Sequence, residues 1–258
     1  MTAADGTSEK QSWKGVVNRV LHDGRVSAMF RRVCPPSLRS RASALRARVS
    51  PPNRSQVFAS IHRNSGWGSE YESVSGPGST LEETAVLRRD LPKLLRRIGV
   101  ESLLDAPCGD LHWIKECELG VERYIGMDVV EAIVVANREQ YSGPGRRFVV
   151  GDIVNDDLPT VDAILCRDCL VHLPFTDVLA TLRNFQRSES TYLLTTTFPE
   201  HPENTDLSRA GDWRTLDLTR PPFNLPPPFE VLVEECTYDR GRYADKSLGL
   251  WRLADLPV

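Results

Sequence analysis

With 258 residues, 40% apolar and 26% charged, the chain has the composition of an ordinary globular protein. It is long enough for one large α/β domain with an appendage, or for two small domains. No apolar run nears the roughly 20 residues of a membrane span, and the N-terminal MTAADGTSEKQSWKG lacks the apolar stretch of a secretory signal. Six cysteines in such a chain do not make a disulfide scaffold, so a reducing, cytoplasmic setting is the expectation.

The net charge of −3 conceals an asymmetry. Between Gly24 and Ser69 stand nine arginines and no acidic residue, which leaves about −12 for the rest of the chain. Such a segment can meet nucleic acid, anionic lipid or an acidic partner, or serve as a solvated arm. Phe30 is its only aromatic before Phe58, too little for base stacking, so nucleic acid is not the favoured partner.

Taken in chain order, residues 1–55 read as a basic, loosely structured arm. Within it Ser12 to Val33 has helical spacing of Val16, Val17, Val20, Leu21 and Met29, ended by Pro35-Pro36, and RSRASALRARVSPPNRS reads as a linker. Residues 56–100 read as a lid loop and cap helices. NSGWGSEYESVSGPGSTLEET crowds glycine and serine around Trp67 and Tyr71, the pattern of a long shaped loop. Thr80 and Glu83 form a capping box for a helix expected to stop near Asp90 and restart at Pro92.

Residues 101–258 alternate. SLLDA, RYIGMD, RFVVGDI, VDAILCRD and TYLLTTTF read as buried strands; LHWIKECEL, EAIVVANREQY and FTDVLATLRNFQ read as the helices between them. FEVLVEECTYD and KSLGLWRL follow a proline-rich loop as a final strand pair. The expected fold is α/β: a Rossmann-like, doubly wound, mostly parallel sheet closed by an antiparallel C-terminal pair, in three α/β/α layers.

Ligands in such sheets bind beyond the carboxyl ends of the strands. Here the first strand ends in DAPCGD, with neither the G-x-G-x-x-G of dinucleotide enzymes nor the G-K-[ST] of a P-loop. The second ends in Asp128, about 20 residues past the turn, where a carboxylate can accept both ribose hydroxyls. The third ends in GDI, with Asp152 placed to accept from an exocyclic amine and Ile153 to cover a flat ring. A ribose, an adenine and a small group at the first turn are suggested, without a phosphate cradle.

From about Gly66 to Leu253 the chain resembles the class I S-adenosylmethionine (SAM)-dependent methyltransferases, through DAPCGD, YIGMD, GDI, CRDCLVHLP and the closing strand pair. Its flanking segments look like a bacterial subgroup of them. The resemblance implies SAM as cofactor, with Asp105, Cys108, Gly109 and Asp110 around the methionine end, Asp128 on the ribose, and Asp152 with Ile153 on the adenine. It departs from the family at the first turn, where D-x-G-x-G-x-G is reduced to Pro-Cys-Gly-Asp and only Gly109 keeps a close backbone approach.

Methyl transfer aligns an acceptor in line behind the methyl carbon, and an oxygen acceptor also needs a base. His172 suits proton removal near neutrality, or else packs at a helix start. Asp168 takes the proton, orients His172, or merely pairs with Arg167. Trp67, Trp213 and Arg214 can clamp a ring or sugar face, or pack loops; Glu200, His201, Asn204 and Asp206 enter from the loop after the fifth strand. Cys166 and Cys169 form a lone CxxC without further ligands, so no metal is expected. The expected activity is O-methylation of a small molecule or glycan by in-line displacement with a His/Asp base. The alternatives are a nucleic-acid-binding or RNA-modifying protein using the arginine arm, and a SAM-binding regulator without chemistry.

Overall fold

A computed structural model describes residues 53–68 and 72–258. The helix expected over Ser12–Val33, the linker up to Pro52, and Tyr71 lie outside the described residues. Seven strands, β1 (Ser102–Asp105), β2 (Arg123–Asp128), β3 (Arg146–Val150), β4 (Ala163–Cys166), β5 (Tyr192–Thr197), β6 (Glu230–Val233) and β7 (Ser247–Arg252), form one sheet in the order β3-β2-β1-β4-β5-β7-β6. β1 to β5 pair in parallel, and β7 runs antiparallel to both β5 and β6.

Alternation along each strand builds two cores. Leu104, Ile125, Ile164 and Leu193 face one side with helix α4 (Phe175–Arg187) and residues Leu216, Leu218 and Phe223. Their neighbours Leu103, Tyr124, Leu165 and Leu194 face the other, where helix α2 (Ala85–Arg97) sets Leu87, Leu91, Leu94 and Leu95 and helix α3 (Glu131–Tyr141) sets Val134. Period-2 strands between apolar helix faces give the three-layer sandwich. Because β2-α3-β3 and β4-α4-β5 lie on opposite faces, the winding reverses between β1 and β4. That switch point is where α/β sheets open a crevice.

Four local expectations are corrected. α2 passes through Pro92 without a break; burial of its four leucines outweighs the one backbone bond that proline removes. The Thr80 box is half-formed: Thr80 Oγ1 accepts Glu83 N–H (3.3 Å), but the Glu83 carboxylate accepts from Thr237 N–H and O–H instead. LHWIKECEL makes only a 3₁₀ turn at Ile114–Glu116, so β1 is not followed by a full helix. Finally, a helix α1 (Arg54–Arg63) begins inside the stretch read as arm and linker, closed at its N-terminus by a reciprocal Asn53–Gln56 capping box. No described helix is long and apolar enough to cross a membrane.

Candidate active site

A cavity of about 1000 Å³ lies at the carboxyl ends of β1 to β4. That is the upper end of the range for ligand sites, room for a nucleoside cofactor and an acceptor together. Its walls take residues from the DAPCGD turn, the ends of β2, β3 and β4, α1, the glycine-rich segment and the hairpin before β7.

At the first turn three carboxyl groups gather, with no lysine or arginine bonded to any of them among the described residues. Asp128 is buried and accepts Gly109 N–H on Oδ2 (3.1 Å) and Val130 N–H on Oδ1 (2.9 Å). Each carboxylate oxygen has two acceptor positions, so one remains on each. Burial pushes the Asp128 carboxyl up to about 6, with the backbone amides of the turn, Val130 and Gly109 foremost, opposing it. Asp105, also buried, accepts Tyr124 O–H at 2.5 Å. Burial and then the Asp128 charge lift it to about 7, with the Tyr124 bond and Arg167 opposing. A pyrophosphate would meet repulsion here, and a cationic group attraction.

Asp110 works on the protein itself. Its carboxylate accepts Ser73 O–H and Val74 N–H at 3.0 Å, Ser75 O–H at 3.3 Å and His112 N–H at 3.2 Å. It thereby pins the glycine-rich segment over the turn. Gly109 has φ 54°, and a Cβ there would collide with Ser75 Oγ. Close approach at this glycine therefore serves the covering segment as well as a ligand. Cys108 is buried, donates its N–H to Met127 O (2.8 Å) and lines the cavity.

Ile153 is buried in the cavity wall beyond β3, but Asp152 is already engaged. Its Oδ1 accepts Val154 N–H (3.0 Å), and its Oδ2 accepts Arg54 Nη2–H (2.7 Å) and Asn155 Nδ2–H (3.2 Å). Arg54 Nε–H lies between the two oxygens at 3.3 and 3.2 Å. Arg54 also bonds Asp177 through Nη1 (3.0 Å).

The opposite half of the cavity is aromatic. Trp67 lies against His172 (ring centroids 5.1 Å) and Phe58 (6.2 Å); Trp213 packs edge-on to Tyr243 (5.0 Å) and Phe198 (6.2 Å). His172 Nδ1 sits 3.0 Å from Asp212 O. A carbonyl only accepts, so Nδ1 carries the proton and Nε2 keeps its lone pair. Burial lowers the His172 pKa and keeps the ring neutral.

Asp168 joins a buried charge cluster. Its Oδ2 pairs with Lys246 Nζ (2.6 Å) and lies 3.2 Å from Arg167 Nη1; Arg167 Nη2 pairs with Glu234 (2.6 Å) and Lys246 lies 3.5 Å from Glu234. Burial opposes ionisation of Asp168, yet Arg167 and Lys246 prevail and hold it at about 2. Its φ of 50° is left-handed backbone that costs a non-glycine residue about 1 kcal/mol, and Thr196 Oγ1 accepts its N–H at 2.8 Å.

Arg214 does not line the cavity. Buried, it donates to the carbonyls of Thr205 (3.1 Å), Leu170 (2.8 Å) and Leu173 (2.6 Å), so the expected ring clamp is a loop staple. Asn204 likewise ties Asp217 to Pro221, and Asp206 accepts the first N–H of α4. Neither they nor Glu200 and His201 line the cavity. Cys166 is wholly buried in the strand core, while Cys169 reaches the wall.

Missed from sequence were Arg54, Phe58 and His62, which at i, i+4 and i+8 turn one face of α1 to the cavity. The signal was present in Asn53-x-x-Gln56 ahead of VFASI. Lys246 and Glu234 had no local signal.

No family model and no curated protein matches the chain. Solved structures similar to it include the methyltransferase domain of bacterial CtHen1, at 14% identity over 45% of this chain and 66% of that one, TM-score 0.39. Magnesium protoporphyrin IX methyltransferase from Synechocystis PCC 6803 with bound SAM is 13% identical over 61% of this chain and 82% of that one, TM-score 0.44. An amino pentose methyltransferase from Micromonospora echinaspora is 22% identical over 48% and 60%, TM-score 0.37. The fold itself is read from this chain's own sheet, parallel from β1 to β5 and closed by the antiparallel β7.

Proposed function

We propose that the protein transfers a methyl group from SAM to a hydroxyl of a small molecule or glycan. The observation that carries this reading is the pairing of Asp128, with two free acceptor positions in an acid-lined turn, and a neutral His172 across the same cavity. The residues suit such a cofactor: the carboxyls of Asp105 and Asp128 favour a ligand carrying sulfonium and ammonium charge over one carrying phosphates. When bound, SAM supplies a methyl carbon made electrophilic by its sulfonium.

The chain's own residues do the rest. Asp128 holds the ribose diol and Ile153 lies along the base. Trp67, Trp213 and Tyr243 confine the acceptor ring, and such positioning is worth several kcal/mol. His172 Nε2 would take the acceptor's hydroxyl proton while the methyl carbon exchanges its C–S bond for the C–O bond and S-adenosylhomocysteine leaves, and Nδ1–H on the Asp212 carbonyl fixes the ring. Asp168, held ionised by Lys246 and Arg167, is too weak a base for this step. It supports the imidazolium that results.

Calorimetry with SAM and S-adenosylhomocysteine, followed by labelled-methyl transfer to a panel of hydroxylated rings, tests the reading. Micromolar binding and label in a hydroxylated acceptor are expected. His172→Ala should abolish turnover while SAM affinity stays within a few-fold. An intact protein that binds neither ligand would overturn the assignment, and unchanged turnover in His172→Ala would remove His172 from the chemistry.

A further inference from the structure

We infer that Arg54 is a latch on the cofactor site, competing with the exocyclic amine of the nucleobase for Asp152; this rests on the reading above. Asp152 lies in the cavity wall beside Ile153, where an adenine would be read. Its carboxylate has about four acceptor positions. Val154 N–H, Asn155 Nδ2–H, Arg54 Nη2–H and the shared Arg54 Nε–H fill them. Nothing is left for an incoming amine unless a donor withdraws.

Of those donors, Val154 and Asn155 belong to Asp152's own turn and move with it. Arg54 comes from α1, ninety-eight positions away in the chain, on a long flexible side chain. It is also the donor with somewhere to go. Its Nη1 bonds Asp177 at the start of α4 (3.0 Å), so the guanidinium can release Asp152 and stay tethered. Both pairs are partly open, with side-chain exposures of 19% for Arg54 and 23% for each acid, so the guanidinium can exchange between the two carboxylates at the cavity edge.

α1 transmits the exchange. Arg54, Phe58 and His62 share its cavity face, and Phe58 packs on Trp67, which packs on His172. Along the edge of the same face, Val57 and Ile61 pack against Gly211, where a Cβ would lie 3.0 and 2.7 Å away. One helix thus touches the adenine end at Arg54 and the acceptor end through Trp67. Occupation of the base site shifts Arg54 from Asp152 wholly onto Asp177, so cofactor and acceptor binding are coupled through α1.

The test measures S-adenosylhomocysteine and S-inosylhomocysteine binding to the full chain and to Arg54→Ala by calorimetry at low and high salt. The inosyl ligand carries oxygen in place of the amine. Arg54→Ala should bind the adenosyl ligand about fivefold tighter, since a latch of ordinary ion-pair strength masks the site by about that factor. Its preference for adenosyl over inosyl should widen, and the wild type alone should gain affinity as salt rises. Asp177→Asn, which removes only the tether, is the second variant; it leaves a released guanidinium without a partner and should weaken adenosyl binding, the opposite direction from Arg54→Ala. Adenosyl binding that is unchanged or weaker in Arg54→Ala, or tighter in Asp177→Asn, with the wild type binding well, would overturn the latch and leave the methyltransferase reading standing. Failure of wild type and variants alike to bind either ligand would overturn both.

Discussion

Asp128→Asn is the most informative single change, because it preserves shape and removes only charge and one acceptor. In the native turn the carboxylate spends one acceptor position on Gly109 N–H and one on Val130 N–H, leaving one on each oxygen for the two ribose hydroxyls. An amide nitrogen in either place faces a backbone N–H donor to donor and offers the ribose a donor where it needs an acceptor. Hydrogen bonds to a charged acceptor contribute roughly 1.5–3 kcal/mol each. Loss of one outright and weakening of the other come to about 3 kcal/mol, or about a 100-fold rise in Kd. The fold itself should suffer less: one backbone donor goes unpaired at a cost of about 1–3 kcal/mol, offset in part because a buried carboxyl already lifted to about 6 is no longer ionised there. Calorimetry with S-adenosylhomocysteine, with a thermal melt as the fold control, reads both. A 2′-deoxyribose ligand sharpens it: the wild type should discriminate against the deoxy compound and Asp128→Asn should not. An affinity within threefold of wild type in a folded Asp128→Asn protein would refute the ribose assignment.

The remaining predictions concern the buried charges. Burial holds Asp105 near 7 and Asp128 near 6, so both are largely neutral at pH 5.5 and charged by pH 7.5. SAM affinity should therefore rise about tenfold or more across that interval, with proton release visible as buffer-dependent binding enthalpy; a flat profile would show that neither acid meets the cation. The same raised values make the unliganded fold lose stability as pH climbs from about 4 to about 7, because the unfolded carboxyls give up their protons first. Asp168 has the opposite sign: depressed to about 2, it contributes stability above pH 4 that is lost on acidification toward 2. Glu234→Ala leaves Arg167 and Lys246 with Asp168 as their one acidic partner among the described residues, a buried charge uncompensated, and should cost about 3–5 kcal/mol in denaturant melts. Pairing it with Arg167→Met should cost clearly less than the two single changes added together, and strict additivity would mean the cluster does not act as a unit.

Much of this protein was determined by local sequence. The strands were legible because each is a short apolar run bounded by turn residues, and β1, β2 and β5 fall within a residue or two of the expected limits. The acids at their ends were legible because parallel winding sends every strand's carboxyl end to one edge. That logic places Asp105, Asp128, Ile153 and His172 together at one cavity. Where the reading failed, the deciding partner lay far along the chain. Pro92 was tolerated because four leucines of α2 found a sheet to cover. LHWIKECEL wound no helix although its apolar spacing suited one, since Trp113 and Ile114 entered the core from a turn.

Tertiary structure alone decided which charges were spent. Arg214 and Asp152 look alike in sequence as free polar groups beside a site. The fold commits the first to three backbone carbonyls and the second to Arg54. Asp168 was legible as a residue after β4 beside Arg167, but its weakness as a base comes from Arg167 together with Lys246, seventy-eight positions downstream. Hydrophobic periodicity is a local property that survives into the fold, so the sequence specifies the sheet. Hydrogen-bond and ion-pair partners are chosen in three dimensions among groups the chain keeps far apart, so only the folded molecule could show which carboxylates still have a place for a ligand.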